Sequence, residues 1–263
     1  MLLSVLTLLA AALLQGCNSL PAPRMSGQFL ERSVLVEGTS HRYQVFVPTT
    51  RAGGNHPSVI LFLHGTGERG SDGVKPTLVG LGPRIKARSG EFPAIAVFPQ
   101  APDDNDWKGV AADIAFAALD AATGEFGGDP ERTYLTGLSM GGYGTWELAL
   151  LQPGRFAAIV PICGGLLAPR DERDLFVDSV AGEADPYAAV AMRLMDMPIW
   201  IFHGARDDLV PTRDDRLTIS ALHAAGSDAR YTEFPEANHN AWDPAYSTEA
   251  LWPWLFAQRR ARR

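Results

Sequence analysis

Cysteine is nearly absent from this chain: there are two in 263 residues. Two cannot staple a small scaffold, and no Cys-x-x-Cys pair or Cys/His cluster offers a zinc site, so neither metal nor cofactor is expected. An excess of positive charge is also missing. Thirty acidic against 23 basic residues leave a formal charge of −7, which excludes a sequence-independent grip on nucleic acid phosphates. No apolar run after the first residues approaches the ~20 that a membrane-spanning helix needs. Nor is there an internal repeat, or a low-complexity linker beyond residue 24. What is there is 46% hydrophobic, with 26 glycines and 19 prolines. That is the composition of a globular domain large enough to bury a substantial core.

The first sixteen residues stand apart. Met1 to Gly16 carries no charged side chain and is mostly Leu and Ala. Its apolar stretch, Leu2 to Leu14, is too short to span a bilayer of roughly 30 Å but suits the apolar core of a secretory signal. It ends in Leu14-Gln15-Gly16-Cys17, which resembles a bacterial lipobox. The resemblance implies that Cys17 is acylated, becomes the new N-terminus and anchors an exported protein to a membrane of the cell envelope. Asn18 follows where an inner-membrane retention signal would carry Asp, so the outer membrane is expected where the host has one. Ordinary secretion or a periplasmic location is the alternative. Residues 17–30 read as a tether stiffened by Pro21-Ala22-Pro23, and residues 31–263 as one domain. With Cys17 acylated, Cys163 has no intramolecular partner. It lies in the apolar run Ala157 to Cys163 and is read as a buried, inert thiol.

Strand and helix patterns alternate along the domain. Val34–Glu37 and Tyr43–Val47 alternate apolar and polar residues and predict an antiparallel starting pair. Later strands are continuous apolar runs: Val59–Leu63, Ala94–Phe98, Thr133–Thr136, Ala158–Ile162, Ile199–Phe202 and Ala229–Phe234. Such runs suit a parallel sheet buried on both faces. Helical stretches are predicted over Asp113–Thr123, Gly141–Leu150, Thr212–Ala225 and Thr248–Arg259. The alternation argues for an α/β fold with a doubly wound, mostly parallel sheet. Arg259-Arg260-Ala261-Arg262-Arg263 reads as a solvated helix end complementing the helix dipole, with contact to anionic lipid or polysaccharide as the alternative.

Chemistry is concentrated in three segments. Gly137-Leu138-Ser139-Met140-Gly141 lies between a strand and a helix, the context of a G-x-S-x-G nucleophile elbow. A serine hydroxyl is a poor nucleophile near neutral pH and needs a base. Of the six histidines, His41 and His56 precede the central strands, His64 sits beside a tight turn it can tie to a carbonyl, and His223 falls within a helix. His239, in a loop after the last strand, stands where the chain order Ser, Asp/Glu, His would put the base. The acid is expected at a strand end in His203-Gly204-Ala205-Arg206-Asp207-Asp208, with Asp207 preferred and Asp208 as the other carboxylate. Oxyanion donors must be held ready: the amide of Met140 is one, and the glycine-rich loop His64-Gly65-Thr66-Gly67-Glu68-Arg69-Gly70 offers the second. Trp107, on a loop at the sheet edge where ligands bind, and Trp242, after His239, are candidate stacking surfaces for a planar or sugar-like substrate, with a packing role as the alternative for each.

Together these segments resemble the α/β-hydrolase superfamily from about Val34 to Arg259. His64–Gly70, Gly137–Trp146 and Asn238–Trp242 resemble bacterial esterases of the dienelactone-hydrolase-like and predicted-peptidase group, related to phospholipase/carboxylesterases and feruloyl esterases. The resemblance implies the acid at Asp207, the second oxyanion N–H at Thr66, and hydrolysis of a carboxylic ester through an acyl-enzyme. The substrate would be a small-molecule or polysaccharide-linked ester. A serine peptidase acting on short peptides would use the same three residues, and a catalytically silent surface binding protein is the third possibility. Two departures matter. Leu166 to Met197 is longer than a minimal crossover and is expected to add a small cap, and Ser139 stands where dienelactone hydrolases proper have Cys.

Overall fold

A computed structural model describes residues 27–49, 56–170 and 174–260. The signal segment, Cys17 and most of the tether lie outside the described residues. Eight strands form one sheet: β1 (Gln28–Val36), β2 (Thr39–Val47), β3 (Val59–Leu63), β4 (Ile95–Phe98), β5 (Thr133–Leu138), β6 (Ala158–Ile162), β7 (Trp200–Gly204) and β8 (Arg230–Phe234). Their order is β1-β2-β4-β3-β5-β6-β7-β8. The first pair is antiparallel, β2 meets β4 antiparallel, and the pairs from β4 to β8 are parallel. This is the mixed sheet that the α/β-hydrolase resemblance implies.

The helices are α1 (Leu81–Ala87), α2 (Val110–Phe126), α3 (Met140–Leu151), α4 (Pro186–Leu194), α5 (Arg213–Ala224), α6 (Trp242–Ser247) and α7 (Leu251–Ala257). Side chains alternate across a strand, so the buried runs feed two cores. Val59, Leu61 and Leu63 of β3 face one way and pack with residues of α2, α3, α4 and α5. Ile60 and Phe62 face the other way, toward Leu81 and Ile85 of α1 and Tyr246, Leu251 and Leu255 of α6 and α7. Strands apolar on both sides are thus explained by helices on both sides.

The chain leaves β3, pairs β4 on one side, then returns to pair β5 on the other. Above the ends of β3 and β5 successive connections run in opposite directions, which opens a crevice at the carboxyl ends of the strands. Both the serine loop and the glycine-rich loop rise there.

Several boundaries differ from expectation. β1 begins at Gln28 and not near Val34, and the Gly27 amide donates to the Ser89 carbonyl at 2.8 Å. The end of the expected tether is therefore already part of the sheet. Its polar residues hid it, because β1 is an edge strand and mostly solvated. The turn into β2 uses Glu37 at φ 49 and Gly38 at φ 77, the two left-handed residues of a tight hairpin.

The predicted helix Thr248–Arg259 is shorter, α7 over Leu251–Ala257, and a separate short helix, α6, precedes it. Pro253 explains the break: a proline inside a continuous helix would clash with the carbonyl four residues earlier, at Glu249, whereas it is tolerated in the first turn of α7. Arg259, which is exposed, and Arg260 lie just beyond that helix, and residues 261–263 lie outside the described residues. Arg259 pairs with Glu131 at 3.1 Å, and Arg260 donates from its backbone to Glu131 and from its guanidinium to the Gly154 carbonyl, both at 2.8 Å.

The last part of the stretch expected to form a cap is the nine-residue crossover helix α4, which buries Val190, Ala191 and Leu194 against the first core. The loop before it is pinned to the body. Asp214 accepts from the amides of Leu166 and Leu167, and Glu147 accepts from the amide and hydroxyl of Ser179.

Phe62 is fully enclosed in the second core, with Phe98 at 5.3 Å and Tyr246 at 6.2 Å between ring centroids. Phe62→Ala is expected to cost about 3–5 kcal/mol in urea unfolding, the range for emptying a buried aromatic site. A loss below about 1 kcal/mol would contradict this packing.

Candidate active site

The serine loop is shaped by close backbone contact. Ser139 adopts φ 53 and ψ −119 between β5 and α3. A non-glycine residue held there is strained, and such strain persists only where the surroundings enforce it. A Cβ on Gly141 would stand 2.0 Å from the Leu63 carbonyl oxygen, and one on Gly137 2.2 Å from that of Gly141. Neither position admits another residue. The Ser139 amide donates to the Ile162 carbonyl at 2.9 Å, while the Ser139 carbonyl accepts from Gly142 and Tyr143. The hydroxyl is left facing the crevice.

Loops after β7 and β8 bring in the other two residues. Ala205 donates to the Phe234 carbonyl and Arg206 to that of Ala237, both at 2.9 Å. Gly204 makes the fit possible, since a Cβ there would stand 2.1 Å from the Asn238 carbonyl oxygen. With the loops so joined, the Ser139 hydroxyl donates to His239 Nε2 at 2.9 Å. The opposite ring nitrogen of His239, Nδ1, donates to Asp207 Oδ2 at 2.7 Å.

Asp207 Oδ1 accepts from the amides of Leu209 and Val210 at 2.9 and 2.8 Å. Burial alone would raise this carboxyl, but hydrogen bonds from His203, His239 and the Val210 amide hold it well below its ordinary range. Asp208 is exposed and makes none of these contacts through its side chain. Of the two adjacent carboxylates, Asp207 is the one joined to His239.

Met140 is the first residue of α3, so its amide has no intrahelical partner. The glycine-rich loop runs directly against the serine: a Cβ on Gly65 would lie 3.6 Å from Ser139 Cβ. Thr66 then opens the short turn Thr66–Glu68. His64 fixes this loop from beneath. Its Nδ1 donates to the Gly65 carbonyl at 2.6 Å, and its Nε2 accepts from the Ala101 amide at 3.0 Å. One carbonyl and one N–H dictate the neutral tautomer, and burial pushes the ring down to about 4.

The two tryptophans part ways. Trp107 was expected to present a stacking face, but it is 2% exposed. Its indole N–H donates to the His64 carbonyl at 2.9 Å, and its ring fills the notch left by Gly144. With its faces enclosed, it supports the glycine-rich loop. Trp242 is half-buried and meets the His239 ring edge-on at 5.6 Å and 89°. It stays at the rim. Cys163 is buried, and burial raises its thiol well above the ordinary range.

Two groups escaped the sequence reading. Glu68 Oε2 lies 3.3 Å from the same point beside Gly65 that is 3.6 Å from Ser139 Cβ, so a carboxylate flanks the serine. Burial raises it. The second is the buried pair His203 and Asp215, joined at 2.7 Å. A pocket of about 630 Å³ lies elsewhere. It lies at the amino ends of the strands, lined by Glu131, Gly154, Arg193 and Arg259 among others. Arg193 is there engaged by Glu183 and Arg259 by Glu131.

A family model matches residues 101–256: that of Peptidase_S9, the prolyl oligopeptidase family. The chain belongs to this family, within the α/β-hydrolase superfamily. It is 28% identical over 246 residues to a rice (Oryza sativa subsp. japonica) protein named "Probable isoprenylcysteine alpha-carbonyl methylesterase", covering 78% of this chain and 55% of that one. The crystal structure of a thermostable esterase matches with TM-score 0.71 and 28% identity, over 88% of this chain and 63% of the other. An acylaminoacyl peptidase from Pyrococcus horikoshii shares the fold, with TM-score 0.66 at 14% identity over 91% and 43% of the two chains. This chain thus spans little more than half the length of the first curated relative it matches.

Gly204→Ala would push the Asn238 carbonyl, and His239 with it, away from the serine. The rate of fluorophosphonate modification of Ser139 is expected to fall roughly 100-fold, the scale of an ångström-sized misplacement. A rate within threefold of the unaltered protein would mean that this contact does not position the base.

Proposed function

We propose that this protein is a carboxylic ester hydrolase that works through an acyl-enzyme. The observation that carries the reading is the unbroken hydrogen-bond chain from Ser139 through His239 to Asp207. Ser139 Oγ attacks the ester carbonyl carbon while His239 Nε2 takes its proton. The tetrahedral oxyanion is met by the amides of Met140 and Thr66, already directed by the turns that contain them. As the intermediate collapses, His239 returns the proton to the leaving alcohol and Ser139 keeps the acyl group. Water then enters, loses a proton to His239, and releases the acid by the same steps in reverse. Asp207 holds Nδ1–H, so that Nε2 is the basic nitrogen, and stabilises the imidazolium formed at each attack. No step calls for a cofactor. Trp242 borders the entrance and is assigned to the alcohol or acyl group of the substrate.

The esterase names among the similar proteins support the choice of ester over amide. A peptidase acting on short peptides is the second reading, favoured by the family match itself, and it would use the same residues in the same order. We further assign the N-terminal segment as an export signal with Cys17 as a lipid anchor, on the strength of the lipobox-like Leu14–Cys17 and the uncharged run before it.

Ser139→Ala is expected to lower turnover of p-nitrophenyl acetate by at least about 10⁴-fold without changing the circular dichroism spectrum. Activity within tenfold of the unaltered enzyme would remove the assignment. Asp207→Asn should cost far more than Asp208→Asn; equal losses would mean that no single carboxylate orients the ring. Paired ester and anilide substrates sharing one acyl group separate the two readings, and faster cleavage of the anilide would select the peptidase. Labelled palmitate should enter the full chain and be absent after Cys17→Ser, and failure of the unaltered chain to incorporate it would rule the anchor out.

A further inference from the structure

His203 has no step in the mechanism above, yet it is fully buried at the end of β7, four residues before Asp207. Both of its ring nitrogens face oxygen. Nδ1 stands 2.7 Å from Asp215 Oδ2. Nε2 stands 2.9 Å from the Val210 carbonyl and 3.1 Å from Asp207 Oδ2. A carbonyl cannot donate, so Nε2 carries a hydrogen. A neutral ring would then turn the lone pair of Nδ1 toward a carboxylate, which a second N–H avoids. His64 is the contrasting case in the same protein, because one of its nitrogens meets an N–H and the other a carbonyl.

We propose that His203 is a positioning residue of the site: a buried imidazolium, balanced by Asp215, that pins Asp207 Oδ2 and sets the pH at which Ser139 becomes reactive. The proposal rests on the reading of Ser139, His239 and Asp207 given above. Asp207 Oδ2 accepts from two histidine rings at once, at 2.7 Å from His239 and 3.1 Å from His203. Its Oδ1 is occupied by two amides, so the carboxylate has no freedom to turn. The second ring also carries charge. A lone Asp207 would favour the protonated form of His239 and so delay the appearance of the base as pH rises. An imidazolium on the same oxygen offsets part of that pull.

The surroundings support a charged His203. Burial works against the charge, but hydrogen bonds to Asp207 and Asp215 hold the ring up at about 10. From α5 the cluster is faced by Asp215, with Asp214 and Arg216 beside it. From β8 it is faced by Glu233, which pairs in register with His203 and is itself bound by Arg216 and Tyr231. From the loop after β6 comes Cys163, whose buried thiol stays neutral. Burial raises Asp215, and its Oδ1 has no hydrogen-bond partner among the described residues. The proton between Asp215 and His203 is therefore the element to locate.

Two measurements test the proposal. In protein labelled with ¹⁵N at histidine, an imidazolium with both ring nitrogens protonated should persist from pH 6 to pH 9. If no such ring is present at pH 8 in the unaltered protein, the proton lies on Asp215 and the proposal fails, whether or not any variant folds. The second measurement is the pH dependence of fluorophosphonate modification of Ser139. His203→Gln keeps a donor without the charge, and Asp215→Asn removes the balancing carboxylate, so that the ring gives up its second proton and keeps only the Nε2 hydrogen. Both should move the acid midpoint up by roughly half to one pH unit, with the limiting rate at high pH kept within about tenfold. An unmoved midpoint in a folded variant overturns the proposal. Absence of modification at every pH in the unaltered protein would instead remove the reading of Ser139 as the nucleophile.

Discussion

The approach of α3 to the end of β3 constrains everything above it. With the backbone at Gly141 pressed against the Leu63 carbonyl, where a Cβ would be only 2.0 Å away, the chain must leave β5 through a turn that no ordinary residue prefers. Ser139 accepts that conformation, and strain at one residue is set against the burial of a whole helix. The same contact fixes the distance between the serine loop and the glycine-rich loop, because Leu63 leads directly into His64 and Gly65. The hydroxyl and the amides around it thus take their positions from one packing decision in the centre of the sheet.

Two buried histidines show how partners, not burial alone, decide charge. His64 and His203 are both fully enclosed. One N–H and one carbonyl leave His64 neutral, and desolvation lowers it to about 4. Two carboxylates and a carbonyl surround His203 and hold it up at about 10. The neutral ring holds the loop beside the serine, and the other touches the carboxylate behind the base.

Much of this was legible in the residues. Doubly buried strands announce themselves as unbroken apolar runs, and the G-x-S-x-G turn between strand and helix marks its own location. The Ser, Asp, His order then selected His239 over five other histidines, and the geometry joins that ring to Ser139 and to Asp207. What stayed hidden depends on contacts distant in sequence. The polar residues of β1 masked a strand because it lies at the sheet edge and is mostly solvated, and α4 was obscured because a long insertion looks the same whether it covers a site or crosses behind it. Trp107 stayed open between stacking and packing, since nothing local reveals the notch at Gly144 that encloses it. Asp215 gave no signal at all: an acidic residue in the first turn of a helix is ordinary, and only the fold puts it under His203.

His239 lies 100 residues after Ser139 along the chain, and 32 after Asp207. Neither separation can be closed by local structure. A chain emerging from synthesis carries Ser139 as a simple alcohol until β8 has docked beside β7 and drawn the His239 loop across. On the proposed reading, reactivity of this hydroxyl toward an electrophile is therefore a late event in folding.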